Sequence, residues 1–226
     1  LHAANGPPAV SFSFSSDLSD FSASFVEEAG GLSILPFDPN ASIGIGDGAS
    51  GDIFLSHTLL DELFARYGTI RVGGPEGAHV VEIGGGDPVV LRGSLSIYTP
   101  RAGGKIRINS PIVGMNGASL IIHGSGHTID LNADVDVPGD YIAGDAIVVN
   151  GNRTIRAGGR IAIDTTSVMG NGDAVLDSLT LIAVTTVDIT VPVGGAGLNT
   201  LSVRAGTGIT TSAAGTQNPT GTEVGL

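Results

Sequence analysis

Gly103-Gly104-Lys105-Ile106-Arg107-Ile108-Asn109-Ser110-Pro111-Ile112, followed by Ser119-Leu120-Ile121-Ile122 and Thr128-Ile129-Asp130-Leu131, is the stretch on which the fold turns. Each strand-like piece reads x-Φ-x-Φ, with Φ apolar, so two side chains enter a core and their neighbours leave it. Ile106, Ile108, Leu120, Ile122, Ile129 and Leu131 are therefore the expected core residues. The pieces are short and punctuated by Gly, Asn or Asp, which marks an all-β chain with many turns. A sandwich or barrel uses longer strands, whereas a solenoid coil needs two or three short ones, repeated about every 20 residues.

The pattern runs outward in both directions. Upstream lie Ser42-Ile43-Gly44-Ile45, Asp52-Ile53-Phe54-Leu55, Thr69-Ile70-Arg71-Val72, Val80-Val81-Glu82-Ile83, Val89-Val90-Leu91 and Ser94-Leu95-Ser96-Ile97. Downstream lie Ala146-Ile147-Val148-Val149, Thr154-Ile155-Arg156, Arg160-Ile161-Ala162-Ile163, Leu179-Thr180-Leu181-Ile182, Val187-Asp188-Ile189-Thr190-Val191 and Leu201-Ser202-Val203. A period of about 20 residues predicts roughly eight to ten coils and a rod on the order of 40–50 Å long. One helical signal interrupts the series: across residues 58–67, Leu59, Leu60, Leu63, Phe64 and Tyr67 share a face, Ser56 or Thr58 can cap the start, and Gly68 can close the end. The expected fold is all-β, a parallel β-helix with this short amphipathic helix inserted into a coil, and Leu63 and Phe64 join the core. Residues 1–42 are expected to form an irregular strand or cap segment, with Ser11-Phe12-Ser13-Phe14-Ser15 as its strand, and 43–226 one continuous domain of coils.

Hydrophobic residues make up 41% of the chain but aromatics only 4%, so thin layers of Val, Ile, Leu and Ala must fill the core. Charged residues are 14%, well below the roughly 25% of an ordinary soluble domain. Ser, Thr, Asn and Gly must cover the surface instead. The formal net charge of −12 argues against nucleic acid and anionic bilayers as partners. The absence of Cys excludes a disulfide framework and thiolate metal sites and fits export. No apolar run is long enough for a membrane span.

Three segments are specific enough to carry a resemblance. Gly51-Asp52-Ile53-Phe54-Leu55-Ser56, then Leu59-Leu60-Asp61-Glu62-Leu63, then Gly68-Thr69-Ile70-Arg71-Val72-Gly73 resemble the strand–helix–strand unit of filamentous-haemagglutinin-like exoproteins. Gly103 to Ile112 looks like that family's recurrent coil, and Gly158-Gly159-Arg160-Ile161-Ala162-Ile163 continues it. The resemblance spans roughly residues 43–210 and implies a right-handed parallel β-helix, two-partner secretion from a Gram-negative bacterium, and an extracellular or cell-surface location. It implies a non-enzymatic structural or adhesive shaft, with a host or cell-surface ligand or glycan, or further copies of itself, as partner. The family's amino-terminal secretion signature is not found, which places this stretch in the interior or far end of a longer protein.

The alternatives are a self-assembling extracellular filament subunit and a polysaccharide-active β-helix enzyme. Inverting glycoside hydrolysis needs paired carboxylates on one groove face. No Asp-Asp occurs, and Glu27-Glu28 has no basic neighbours. No catalytic residues are therefore assigned. His123-Gly124-Ser125-Gly126-His127 is a turn in which two His are not brought together as on a helix. Gly46-Asp47-Gly48-Ala49-Ser50-Gly51 matches G-x-G-x-x-G but opens a strand, so it is a Gly-rich turn and not a dinucleotide loop. Asp134, Asp136 and Asp140, with Asp145 nearby, crowd one oxygen-rich stretch and are candidate Ca²⁺ ligands, the sole cofactor suggested. Pro138 breaks the spacing of a calcium loop, and a solvated acidic turn is the competing reading.

Overall fold

A computed structural model describes residues 23–28, 30–99, 101–124, 128–164, 167–173, 177–190, 193, 197–211 and 222–225. In chain order, β1 (Ala23–Glu28) and β2 (Gly31–Pro36) form a hairpin, followed by β3 (Ile43–Ile45), β4 (Ile53–Leu55) and α1 (His57–Phe64). Then come regular three-strand coils: β5 (Thr69–Gly73), β6 (Val80–Ile83) and β7 (Val89–Leu91); β8 (Ser94–Tyr98), β9 (Lys105–Ile108) and β10 (Ile112–Gly114); β11 (Leu120–His123), β12 (Thr128–Leu131) and β13 (Val135–Val137). Two more follow in β14 (Tyr141–Ala143), β15 (Ala146–Val149) and β16 (Asn152–Ala157), then β17 (Ile161–Ile163), β18 (Val168–Gly170) and β19 (Asp177–Ala183). The next coil has β20 (Thr186–Ile189), a bridge at Val193 and β21 (Leu198–Ala205), before β22 (Gly208–Thr211) and β23 (Thr222–Gly225).

Every third strand stacks on its predecessor. Three sheets result: A, in the order β1-β2-β5-β8-β11-β14-β17-β20-β22; B, β4-β3-β6-β9-β12-β15-β18; and C, β7-β10-β13-β16-β19-β21-β23. All pairings are parallel except β1 with β2. The chain is thus a parallel β-solenoid of about six stacked coils, with one short helix among the described residues. Register partners along sheet A, namely Ile70, Leu95, Leu120, Tyr141, Ile161, Val187 and Ile209, follow one another at 20 to 26 residues. That longer period, together with the hairpin, the β3–β4 loop and α1, explains why the coils number about six and not eight to ten. The rod is correspondingly about 30 Å long.

The core is a set of ladders. In sheet B, Ile43, Val81, Ile106, Ile129, Ile147 and Val168 stack in register, and beside them Ile45, Ile83, Ile108, Leu131 and Val149. Ile106, Ile108, Leu120, Ile122, Ile129, Leu131, Leu63 and Phe64 are all buried, as their spacing requires. One ladder of sheet C runs Leu91, Gly114, Val137, Ala157, Ala183 and Ala205, and is narrow over its last three coils. Tyr141 fills space in a coil whose other inward residues include Ala143 and Ala157.

The start of the coil stack is closed on all three sides. β1 runs antiparallel beside β2 in sheet A, β4 lies outside β3 in sheet B, and α1 packs against β7, the end strand of sheet C, and against β5. α1 is shorter than the 58–67 span predicted: Ser56 Oγ accepts from Leu59 N at 3.2 Å, and Ala65 caps the end. Gly68 does not close the helix. Its N–H donates to Gly30 O and leads the chain into sheet A. Gly46 to Gly51 is the loop between β3 and β4, where a Cβ on Gly51 would lie 2.4 Å from Gly44 N. Only glycine permits that approach.

The predicted boundary at residue 42/43 falls inside the first coil, because β2 already pairs with β5 (Leu32 with Ile70, Ile34 with Val72). The Ser11–Ser15 strand lies outside the described residues.

Candidate functional site

In sheet A the residue following the second inward side chain of each coil forms an outward column. Its members are Gly73, Tyr98, His123, Gly144, Asp164 and Thr190, and the backbone bonds Gly144 N to Ile122 O, Asp164 N to Ala143 O and Thr190 N to Ile163 O hold the later ones in sequence. The Tyr98 and His123 rings stack with centroids 4.0 Å apart and planes 15° from parallel. On the far side of the stack the Arg71 guanidinium lies 4.9 Å from the Tyr98 centroid. His123 Nε2 is 3.0 Å from Ser96 Oγ. Burial, and secondarily the Arg71 charge, lowers the His123 pKa below its ordinary value of 6.5, so the imidazole is neutral near pH 7.

Gly144 interrupts the column. Below it Asp164 is exposed, and its Oδ1 accepts a 2.8 Å bond from Thr190 Oγ1. The interruption opens into a shallow groove of about 500 Å³ lined by Pro75, Tyr98, His123, Ile142, Gly144 and Asp164. Asp164 is the one carboxylate among the described residues lining it. The arrangement offers one free aromatic face, an apolar floor and a single anionic group. Among the described lining residues there is no second carboxylate of the kind that acid–base hydrolysis of a glycosidic bond uses.

A smaller groove of about 350 Å³ on sheet C runs past Val113, Asp136, Arg156, Ile182 and Val184. It is an apolar strip with one charge of each sign.

The candidate Ca²⁺ ligands are kept apart. Val135-Asp136-Val137, read from sequence as part of an acidic loop, is strand β13: the two Val are buried and Asp136 faces solvent between them. Asp134 Oδ1 accepts from Thr154 N at 2.9 Å, and Asp140 Oδ1 accepts from Arg160 N at 2.9 Å. Asp145 is buried. Among the described residues no group of three His, Cys, Asp or Glu is placed to hold a metal ion. His127 lies outside the described residues, while His123 belongs to the aromatic column. Glu27 sits on β1, where Tyr67 donates its hydroxyl to Glu27 Oε1; burial and this carboxylate push the Tyr67 pKa up to about 12.

The asparagines form a ladder that sequence reading missed. Asn109 Nδ2 donates to Glu82 Oε1 at 2.9 Å, Asn132 Nδ2 to Asn109 Oδ1 at 2.8 Å, Asn150 Nδ2 to Asn132 Oδ1 at 3.1 Å and Asn171 Nδ2 to Asn150 Oδ1 at 3.0 Å. Each Asn directly follows a strand of sheet B. Ser50 anchors the upstream end, its N–H and hydroxyl both donating to Glu82 Oε2, which lowers the Glu82 pKa. The signal was present as a recurring Φ-x-Φ-Asn at 106–109, 129–132 and 147–150. Tyr98, His123 and Asp164 carry no comparable motif, and only the register of sheet A aligns them.

No family model matches the chain, and comparison with curated proteins and with solved structures gives no match. The class is thus defined by its architecture: a parallel β-solenoid with side-chain ladders inside and out. No helix among the described residues is long and apolar enough to cross a membrane.

Proposed function

We propose that the chain is a non-enzymatic shaft segment, structural and adhesive, of a large bacterial exoprotein of the filamentous-haemagglutinin-like kind, secreted or displayed at the cell surface. The observation that carries this reading is the continuity of the ladders. Apolar columns inside and an Asn column at the corner run from coil to coil, so the repeated unit serves extension along one axis more than the shaping of a pocket. The one-carboxylate groove on sheet A suits binding better than hydrolysis.

The filament alternative requires a second copy to continue the stack. At the upstream end antiparallel β1 and α1 stand where parallel strands would have to dock, which favours a terminated rod over an open template. The test pairs two measurements on the purified chain. Incubated with acidic and neutral polysaccharides it should release neither reducing ends nor unsaturated products, and beads coated with it should adhere to host-cell or glycan surfaces more strongly than bare beads. Product release, or adhesion no better than bare beads, would overturn the proposal.

A further inference from the structure

We propose that the interruption at Gly144 captures the guanidinium of an arginine side chain presented by a second protein, stacked on His123 and paired with Asp164. The inference deepens the adhesive half of the function proposed above and rests on it for the presence of a partner at the rod surface.

The column supplies the geometry. Tyr98 and His123 are already a two-ring stack, and Arg71 occupies the outer face of Tyr98 with its guanidinium 4.9 Å from the ring centroid. The opposite face of the stack, that of His123, looks along the rod toward Gly144, which has no side chain to cover it. Asp164 stands one coil further on. Two coil spacings separate the His123 and Asp164 positions, about 9–10 Å, and the thickness of the ring and carboxylate leaves roughly 6 Å. One flat group fits there against the imidazole, with the Asp164 carboxylate at its edge.

Chemistry selects among flat groups. Asp164 is the one carboxylate lining the groove, and Thr190 occupies its Oδ1, which leaves Oδ2 to accept from a donor. The chain carries a net charge of −12, which draws cations toward it. A guanidinium supplies a stacking face and an edge of N–H donors at once, whereas a lysine ammonium is a compact, strongly hydrated point charge with no face. A pyranose lying on the outer surface would meet mainly ring edges, because the two rings are stacked along the rod and expose one face only. Arg71 on Tyr98 shows the same pairing of guanidinium and ring within the chain itself.

The test titrates Nα-acetyl-arginine amide into the full 226-residue chain and follows the His123 ring protons by NMR, with Nα-acetyl-lysine amide and methyl β-glucopyranoside in parallel. Arginine should move the His123 signals with millimolar affinity, about threefold or more tighter than lysine, and added salt should weaken it. Asp164→Asn, which keeps an oxygen for Thr190, should weaken arginine about three- to fivefold while the melting temperature holds. An equal response to lysine, a stronger response to the glucoside, no response at His123, or an unchanged affinity in Asp164→Asn would each overturn the assignment. The arginine and lysine comparison on the unaltered chain decides the matter even if the variant fails to fold. Coated beads that adhere with no arginine response would refute this inference and leave the shaft reading standing.

Discussion

Replacing Tyr141 with Phe should stabilise the protein. Tyr141 points into the core from β14 between Leu120 and Ile161 and is fully buried, and its hydroxyl finds no hydrogen-bond partner among the described residues. Burial alone pushes its pKa well above the usual phenol value, as expected of an ionisable group surrounded by hydrocarbon. A buried hydroxyl without a partner costs about 1–3 kcal/mol relative to water, and its removal sacrifices only the dispersion contacts of one oxygen. The net expectation is a gain of about 1 kcal/mol. For a domain of this size that is a rise in melting temperature of about 2–4 °C, readable by calorimetry or by circular dichroism at the strand band. Tyr141→Ala is the counterpart: the ring fills core space in a coil that also places the small Ala143 and Ala157 inward, so its loss should cost about 3–5 kcal/mol. If the Phe variant melted below the parent by a comparable margin, the hydroxyl would have to be bonded in the folded protein. The picture of a dry column at this coil would then be wrong.

Asn132→Ala should cost about 1 kcal/mol in chemical denaturation, because it removes the bonds to Asn109 Oδ1 and from Asn150 Nδ2, the second at an exposed residue that water can satisfy; an unchanged midpoint would mean the ladder is decorative. Phe64→Ala should lose about 3 kcal/mol and raise hydrogen exchange first in α1 and β7, which are in contact, with the distal coils protected as before. Ile108→Asp puts an unpaired charge in the sheet B ladder and should prevent cooperative folding, read as loss of the melting transition. Stability should also fall on acidification. Burial holds the His79 pKa below 6.5, so the unfolded chain takes up its proton first, and stability is lost progressively as pH drops through 6.5 toward the folded value. His79→Asn, whose amide can replace the Nδ1 contact to Ala41 O, should flatten the decline measured between neutral and mildly acidic pH; a slope as steep as the parent's would assign it to other groups.

The parallel solenoid was legible because period-two alternation fixes inside from outside, and Ile106, Ile108, Leu120 and Ile122 had no other way to bury both apolar positions. Of the three-residue strands, β3, β4, β7 and β17 were legible, whereas β10, β13, β14 and β18 were not. β10, β13 and β18 carry two inward positions each, and Gly114 or Gly170 fills one of them in β10 and β18, so no alternation stands out against flanking Pro, Asp and Asn. The outer columns were illegible for a different reason. Tyr98, His123 and Asp164 are separated by 25 and 41 residues in sequence, and only the register of sheet A makes them neighbours. A column appears when coils of unequal length are aligned, and the unequal length lies in turns whose composition says little about it.

The corners explain why the chain is acidic. Where a coil turns from one sheet to the next, backbone N–H groups point along the rod at a neighbouring coil whose carbonyls are out of ladder register, so a side-chain acceptor must take their place. Asp52 accepts from Ser42 N, Glu82 from Ser50 N, Asp134 from Thr154 N, Asp140 from Arg160 N, and Asp177 from both Gly151 N and Asn171 N. Ser94 and Ser119 do the same for Ser119 N and Asp140 N. Lys and Arg have no acceptor to offer in these positions. The excess of acids over bases therefore follows in part from the geometry of stacking coils, and several acids that crowd together in sequence serve separate coils in space. That is why Asp134 and Asp140, so close in the chain, are each committed to a different backbone amide, and why a ligand is better sought at Asp164, where one carboxylate faces an open slot.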